Sequence, residues 1–182
     1  MSEEKVRIIA ENGCIQIGVG VESGNREYRE KVLGRRMSDA AIIDAFRNCR
    51  KYNIISTAFC MLGMPDETRD DILSSARLLR RADPSVICHA IYAPYRGNRL
   101  YDYAEERGYL NTPVDYENTV RCYLDMPSIP AEEVERLFKT FILYSRLDDA
   151  FYPLIRQAEE DDGLFQKLMD TMFKQQRQDE RQ

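Results

Sequence analysis

Three stretches of this chain repeat one grammar: a short apolar run rich in β-branched residues, a turn carrying glycine or proline, then a segment with helical spacing. The runs are Cys14 to Val21, Ile54 to Leu62 and Val86 to Ala93. Their turns are Glu22-Ser23-Gly24-Asn25, Gly63-Met64-Pro65-Asp66-Glu67-Thr68 and Pro94-Tyr95-Arg96-Gly97-Asn98. Such runs read as strands, and continuous apolar strands joined by helices predict parallel pairing with both sheet faces covered. The fold expected from about residue 12 to 108 is therefore α/β, in three βα units.

The helical segments carry their own stop and start signals. Ser38 is placed to cap a helix through Tyr52, with Ile42, Ile43, Phe46 and Cys49 on one face. Thr68 followed by Asp71 resembles a capping box, and Ile72, Ala76 and Leu79 give the next helix an inward stripe. Asn98 caps a helix to Arg107, closed by Gly108. From residue 109 to 129 the sequence reads as irregular; Pro130 then opens a helix, and 151–160 and 164–174 have helical periodicity, with residues 175–182 expected to fray. Residues 1–110 thus form the unit of three βα repeats and 111–182 a mainly helical extension.

Three strands alone leave a flat, glycine-bearing apolar edge at residues 14–21, an association site unless something pairs with it. More strands are expected before it; in isolation, dimerisation or the C-terminal helices should cover it. The formal charge of -5, from 26 basic and 31 acidic residues scattered along 182, offers no basic stripe for nucleic acid. No run approaches the roughly 20 apolar residues that cross a bilayer, and Met1 to Lys5 are not signal-like, so a cytoplasmic protein without membrane partners is expected. Five scattered cysteines form neither a CxxC nor a disulfide framework, and most of them read as small apolar core residues.

In parallel βα architectures ligands bind beyond the carboxyl ends of the strands, where the three turns should converge. Glu22 follows an apolar strand, so its carboxylate needs a cation, hydroxyls or backbone amides; a ligand ammonium or ribose would serve, and so would a neighbouring arginine. Arg35 and Arg36 stand near the same strand end, where bidentate geometry suits a carboxylate, although an arginine pair at a helix boundary is commonly solvated. Gly63 and Gly97 let backbone approach a ligand but are also ordinary turn residues. Glu67 reads as a first-turn carboxylate favoured by the helix dipole, and His89, the sole histidine, as a packing residue within its strand. No GxSxG, P-loop, HExxH or metal-spaced Cys/His cluster is present.

Taken together, the strand ends resemble those of radical S-adenosylmethionine (SAM) enzymes. Asn12 through Gly24 resembles the fourth-strand pattern aGc-x-x-i-x-iGiESgs. Val32 to Ser38 is similar to the following lgR-x-x-t segment, Phe59 to Thr68 (FCMLGMPDET) to the fifth-strand fiiGlPgET, and Tyr92 to Tyr101 (YAPYRGNRLY) to the sixth-strand ltPypGTpLy. The order and spacing hold over about residues 10–110, and the tone is closest to B12-binding enzymes such as the anaerobic magnesium-protoporphyrin monomethyl ester oxidative cyclase. Asp66 stands where the family commonly has glycine, and Asn98 where it has threonine.

The resemblance implies units four to six of a partial TIM-like (βα)6 barrel. It implies that Glu22, Ser23 and Arg35 hold the methionine moiety or ribose of SAM, and that the Gly63-x-Pro65 turn and Pro94-Tyr95 border adenine or substrate. It also implies SAM, a [4Fe–4S] cluster and, for the B12-binding subgroup, cobalamin as cofactors of the full-length enzyme, an oxidoreductase or a methyl- or methylthio-transferase acting on a small molecule. The CxxxCxxC loop that would ligate the cluster is absent. The expectation is therefore a fragment inactive alone, binding none of these cofactors, whose partner is the upstream N-terminal half of the same polypeptide; the other reading is a non-catalytic half-barrel that serves as a structural or partner-binding module.

Overall fold

The computed structural model describes residues 1–110, 113–115, 118 and 120–179. Three parallel strands, β1 (Gln16–Glu22), β2 (Ile55–Leu62) and β3 (Val86–Ile91), lie side by side in chain order. The helices are α1 (Glu3–Glu11), α2 (Arg26–Lys31), α3 (Asp39–Lys51), α4 (Arg69–Ala82), α5 (Arg99–Glu106), α6 (Ala131–Arg146), α7 (Tyr152–Ala158) and α8 (Asp162–Asp179), with a short 3-10 turn at Asp149–Phe151. The expected caps form: Ser38 accepts from the Ala41 N–H, Thr68 and Asp71 close a reciprocal capping box, and Asn98 accepts from the Tyr101 N–H. This is the parallel βα half-barrel and helical tail that the sequence predicts.

Strand alternation divides the sheet into two unlike faces. Val19 and Val21 of β1, Ala58, Cys60 and Leu62 of β2, and Ile91 of β3 join Phe46, Ile72, Leu79 and Phe141 in the core. Each fully buried large apolar side chain there contributes roughly 1.5–3 kcal/mol. α3 and α4 pack on β2, and α6 packs on α4 and β3. On the opposite face stand Gly18, Gly20, Ile55, Phe59, Val86 and Cys88, with Ile55, Phe59 and Val86 exposed at 48%, 44% and 45%.

The expectation of a sheet covered on both faces is thus corrected. Three strands with their following helices cover only the side to which the crossovers return, and the other face is the inner wall of a barrel left open. β1 is an edge strand, as expected, but among the described residues the C-terminal helices pack elsewhere: α6 lies on α4 and β3, with α7 and α8 against α6. Arg69 at the start of α4 fastens these helices, donating to Glu133 (2.9 Å) and to Glu159 (2.5 and 3.1 Å).

Two further differences concern helices. The sequence reading had no helix before the first strand, yet α1 buries Val6 against Cys49 and Ile54. Val6, Ile9 and Ala10 supply its apolar stripe, and Gly13 at φ +85 stops it. At the other end α8 continues to Asp179, beyond the expected residue 174; residues 180–182 of the segment expected to fray lie outside the described residues.

Candidate functional site

The parallel register brings all three turns to one end of the sheet. Cross-links between the units then fix them there. The Gly24 N–H donates to Ser75 Oγ (2.6 Å) and the Asn25 amide to Asp71 Oδ1 (2.6 Å), tying the first turn to α4. Tyr28 donates to the Pro65 carbonyl (2.7 Å), joining the first turn to the second. Arg99 reaches back to the Val32 carbonyl (3.0 Å), joining the third unit to the first.

β1 ends in a bulge between Gly20 and Glu22, with Glu22 in the left-handed region at φ +64. A bulge re-aims the side chain that follows it. The Cys60 thiol donates to the Glu22 carbonyl (3.1 Å) and holds it, and burial pushes that thiol upward so that it keeps its proton. The Glu22 carboxylate lies on the open face, 3.0 Å from Arg35 Nη2, while Arg35 Nη1 reaches the Gly20 carbonyl at 3.3 Å. Burial raises the Glu22 carboxyl above its ordinary range and the Arg35 charge opposes that rise. A side chain at Gly20 would occupy the place of this pair, its β-carbon 2.5 Å from Glu22 Oε1.

The other predicted site residues take more structural positions. Ser23 is buried and its hydroxyl accepts the Asn25 N–H (3.2 Å). Gly63, at φ +73, turns its α-carbon toward Val134 and gives its N–H to Glu67 Oε2 (2.7 Å). Pro65 is buried with its carbonyl taken by Tyr28, Pro94 is buried, and Tyr95 is 55% exposed. Arg36 is exposed beside Arg35. His89 packs against Phe138 and Phe141, with Nε2 3.0 Å from the Phe138 carbonyl, as a packing residue should.

Glu67 differs from its sequence reading. It precedes the Thr68 cap, lies fully buried, and accepts from both Gly63 and Met64 N–H groups, so it braces the second turn from within. Burial pushes its carboxyl up to about 8 against those two donors, and its Oε1 finds no partner among the described residues. Asp66 sits at φ +62, which explains the glycine preference there; as an aspartate it also accepts from the Tyr103 hydroxyl and from Tyr109 (2.6 Å). Burial works to raise its carboxyl, but the two hydroxyls and Arg107 leave it below the usual range.

Next to this rim opens a cleft of about 670 Å³, walled by Met61, Ala90, Ala93, Leu33, Leu100 and Tyr95. Arg99 and Arg121 also border it. None of Glu22, Arg35 or the second turn signals this cleft in the sequence, because its walls come from four separate segments. Among the described residues no three His, Cys, Asp or Glu side chains gather as a metal nest, and the cysteines are all free. The residues present therefore do not fit an iron–sulfur cluster.

The molecule is a parallel βα half-barrel with an acidic–basic pair at its strand ends. Residues 1–79 match the Radical SAM superfamily, the stretch that carries the strand-end motifs at Asn12 to Gly24, Val32 to Ser38 and Phe59 to Thr68; the motif at Tyr92 to Tyr101 lies beyond the match. The chain is 27% identical over 140 residues to the uncharacterized methyltransferase PH0819 of Pyrococcus horikoshii, covering 76% of this chain and 30% of that protein. Its fold is similar to that of coproporphyrinogen III oxidase HemN from Escherichia coli, a radical SAM enzyme, at TM-score 0.59 and 12% identity over 81% of this chain and 31% of that one. It is also similar to the radical SAM methyltransferase TsrM from Kitasatospora setae, bound to cobalamin and a [4Fe–4S] cluster, at TM-score 0.53 and 14% identity over 94% and 43% of the two chains. This chain spans between 30% and 43% of the length of these relatives. Radical SAM enzymes use SAM and a [4Fe–4S] cluster, and no helix among the described residues is long and apolar enough to cross a membrane.

Proposed function

We propose that this chain is the SAM- and substrate-facing part of a radical SAM enzyme, with residues 1–110 carrying the rim and 111–182 a helical extension behind it. The observation that supports this most is the Glu22–Arg35 pair on the open sheet face. An α-amino acid end is a zwitterion, and an adjacent carboxylate and guanidinium are its electrostatic complement. Glu22 accepts hydrogen bonds from an ammonium group or ribose hydroxyls, and Arg35 donates two to a carboxylate. When bound with a reduced cluster, SAM supplies the family's radical chemistry.

The remaining residues exclude water and orient. Ser23 shapes the first turn, Gly63 and Pro65 set the second against the core, and Pro94-Tyr95 delivers Tyr95 to the cleft wall. The cleft takes a flat apolar group, the adenine or the substrate. The cluster itself requires thiolates outside this chain, on an upstream half that pairs with the free edge of β1, where Ile17, Gly18, Val19 and Met37 line a groove of about 360 Å³. Methyl transfer is the outcome favoured by the relative from Pyrococcus; TsrM and the B12-like tone of the motifs favour cobalamin as a second cofactor.

Anaerobic iron and sulfide reconstitution followed by electronic spectra and assay of SAM cleavage tests this reading. The 182-residue chain should hold no stable cluster and leave SAM intact, while the polypeptide extended upstream through a CxxxCxxC loop should hold one and cleave SAM. An extended polypeptide that holds no cluster and leaves SAM intact would favour the non-catalytic, partner-binding module.

A further inference from the structure

We propose that Arg29 is the positioning residue that sets the Glu22–Arg35 pair, an inference that rests on the SAM-facing role proposed above for the rim but makes a claim about geometry that can fail separately. Arg29 lies on α2 with its side chain wholly buried. Its Nη1 donates to the Ser23 carbonyl (2.7 Å), the residue immediately after Glu22. Its Nη2 donates to the Met37 carbonyl (3.3 Å) and pairs with Asp39 in the first turn of α3. Its own carbonyl accepts the Arg35 N–H at 2.7 Å.

One residue therefore touches both ends of the segment that carries the two charged groups. A buried guanidinium loses its hydration, and this one has one carboxylate partner and, among the described residues, no hydrogen bond at Nε, so the loss is incompletely offset. An apolar side chain would serve packing better. What only a planar fork supplies here is simultaneous contact with the carbonyls of residues 23 and 37 and the Asp39 carboxylate. The left-handed Glu22 and the bulge before it are then over-determined: Cys60 holds the Glu22 carbonyl from one side, and Arg29 holds the next carbonyl from the other. Arg35 hangs from the same pin through its main chain.

The test uses Arg29→Lys, which keeps the charge and loses the fork, beside Arg35→Ala as reference. Carbon-13 NMR titration of Glu22 in the 182-residue chain reads the pair directly, and hydrogen exchange at the Arg35 amide reads its anchor. In Arg29→Lys the Glu22 midpoint should rise toward that of Arg35→Ala, and Arg35 exchange should quicken at least tenfold while the β2 amides stay protected. If Arg29→Lys does not fold, Asp39→Asn should show the same two changes at smaller amplitude. A folded variant with Glu22 and Arg35 behaving as in the parent chain overturns the proposal. In the extended polypeptide, SAM affinity should fall about tenfold in the same variants; unchanged affinity with a shifted Glu22 would instead refute the SAM-facing role and leave the positioning intact.

Discussion

The Glu22 carboxylate meets the Arg35 guanidinium at 3.0 Å beside the bare α-carbon of Gly20, on the sheet face that no described helix covers. A methyl group at Gly20 would come 2.5 Å from Glu22 Oε1 and 3.1 Å from Arg35 Nη1, both far ends of flexible side chains. The pair must therefore move while the strand stays. Gly20→Ala should leave stability within about 1 kcal/mol of the parent, but shift the Glu22 NMR midpoint and weaken SAM binding in the extended polypeptide; an unmoved midpoint would show that the pair does not occupy this space.

Gly24 is the opposite case. A β-carbon there would lie 2.3 Å from the backbone of Ser74 and Ser75 in α4, which cannot swing aside. Gly24→Ala should cost about 1–3 kcal/mol, the usual range for overpacking, and break the 2.6 Å bond to Ser75 Oγ. Urea unfolding measures this directly, and a loss below about 0.5 kcal/mol would contradict the close approach.

Glu67 imposes a pH dependence of known sign. Its ordinary value is 4.5 and its folded value about 8, so the folded state retains a proton that the unfolded chain releases. The stability this gives is full below pH 4.5, declines as pH rises, and is gone above about 8. His89 acts oppositely, because burial lowers it below 6.5 and its unfavourable contribution fades as pH rises toward that value. Tyr28 and Cys60, beside Glu67, are pushed upward and stay protonated throughout. Glu67→Gln keeps an acceptor for Gly63 and Met64, so it should match the parent within about 1 kcal/mol at pH 5, exceed it increasingly as pH rises to about 8, and hold that margin above it. Parallel stability curves would contradict a protonated Glu67.

Much of this fold was legible because local signals agreed with one another. Ser38, Thr68 with Asp71, and Asn98 each announced a helix start, and each cap forms. The three apolar runs announced parallel strands but not the open face: a strand such as β2, built to be enclosed in a barrel, has the same composition whether or not the second wall is present. Glu22 and Arg35 were legible as neighbours of one strand end, whereas their contact depends on the bulge at Gly20, which period-two alternation does not reveal. Glu67 reads as a first-turn carboxylate in the sequence because its true partners, the Gly63 and Met64 N–H groups, depend on the fold of the turn before it, which Val134 of distant α6 approaches at Gly63. Arg29 gave no signal at all, since a basic residue on a charged hexapeptide helix looks solvated until the Ser23 and Met37 carbonyls fold around it.

Among the described residues nothing pairs with the outer edge of β1, and Ile55, Phe59 and Val86 stand exposed beside it, so self-association of the isolated chain is an expected outcome. Light scattering should find self-association that grows with concentration, accompanied by slowed hydrogen exchange along Ile17 to Val21. A clean monomer at high concentration, with fast exchange in that strand, would contradict this.

The most direct measurement is calorimetric titration of SAM into the upstream-extended polypeptide and its Glu22→Gln and Arg35→Ala variants. If the two side chains receive the amino-acid end of SAM, each variant should bind at least tenfold more weakly, about 1.4 kcal/mol or more, with the cluster spectrum unchanged. Parent affinity in both variants would remove Glu22 and Arg35 from the site and contradict the reading of this rim.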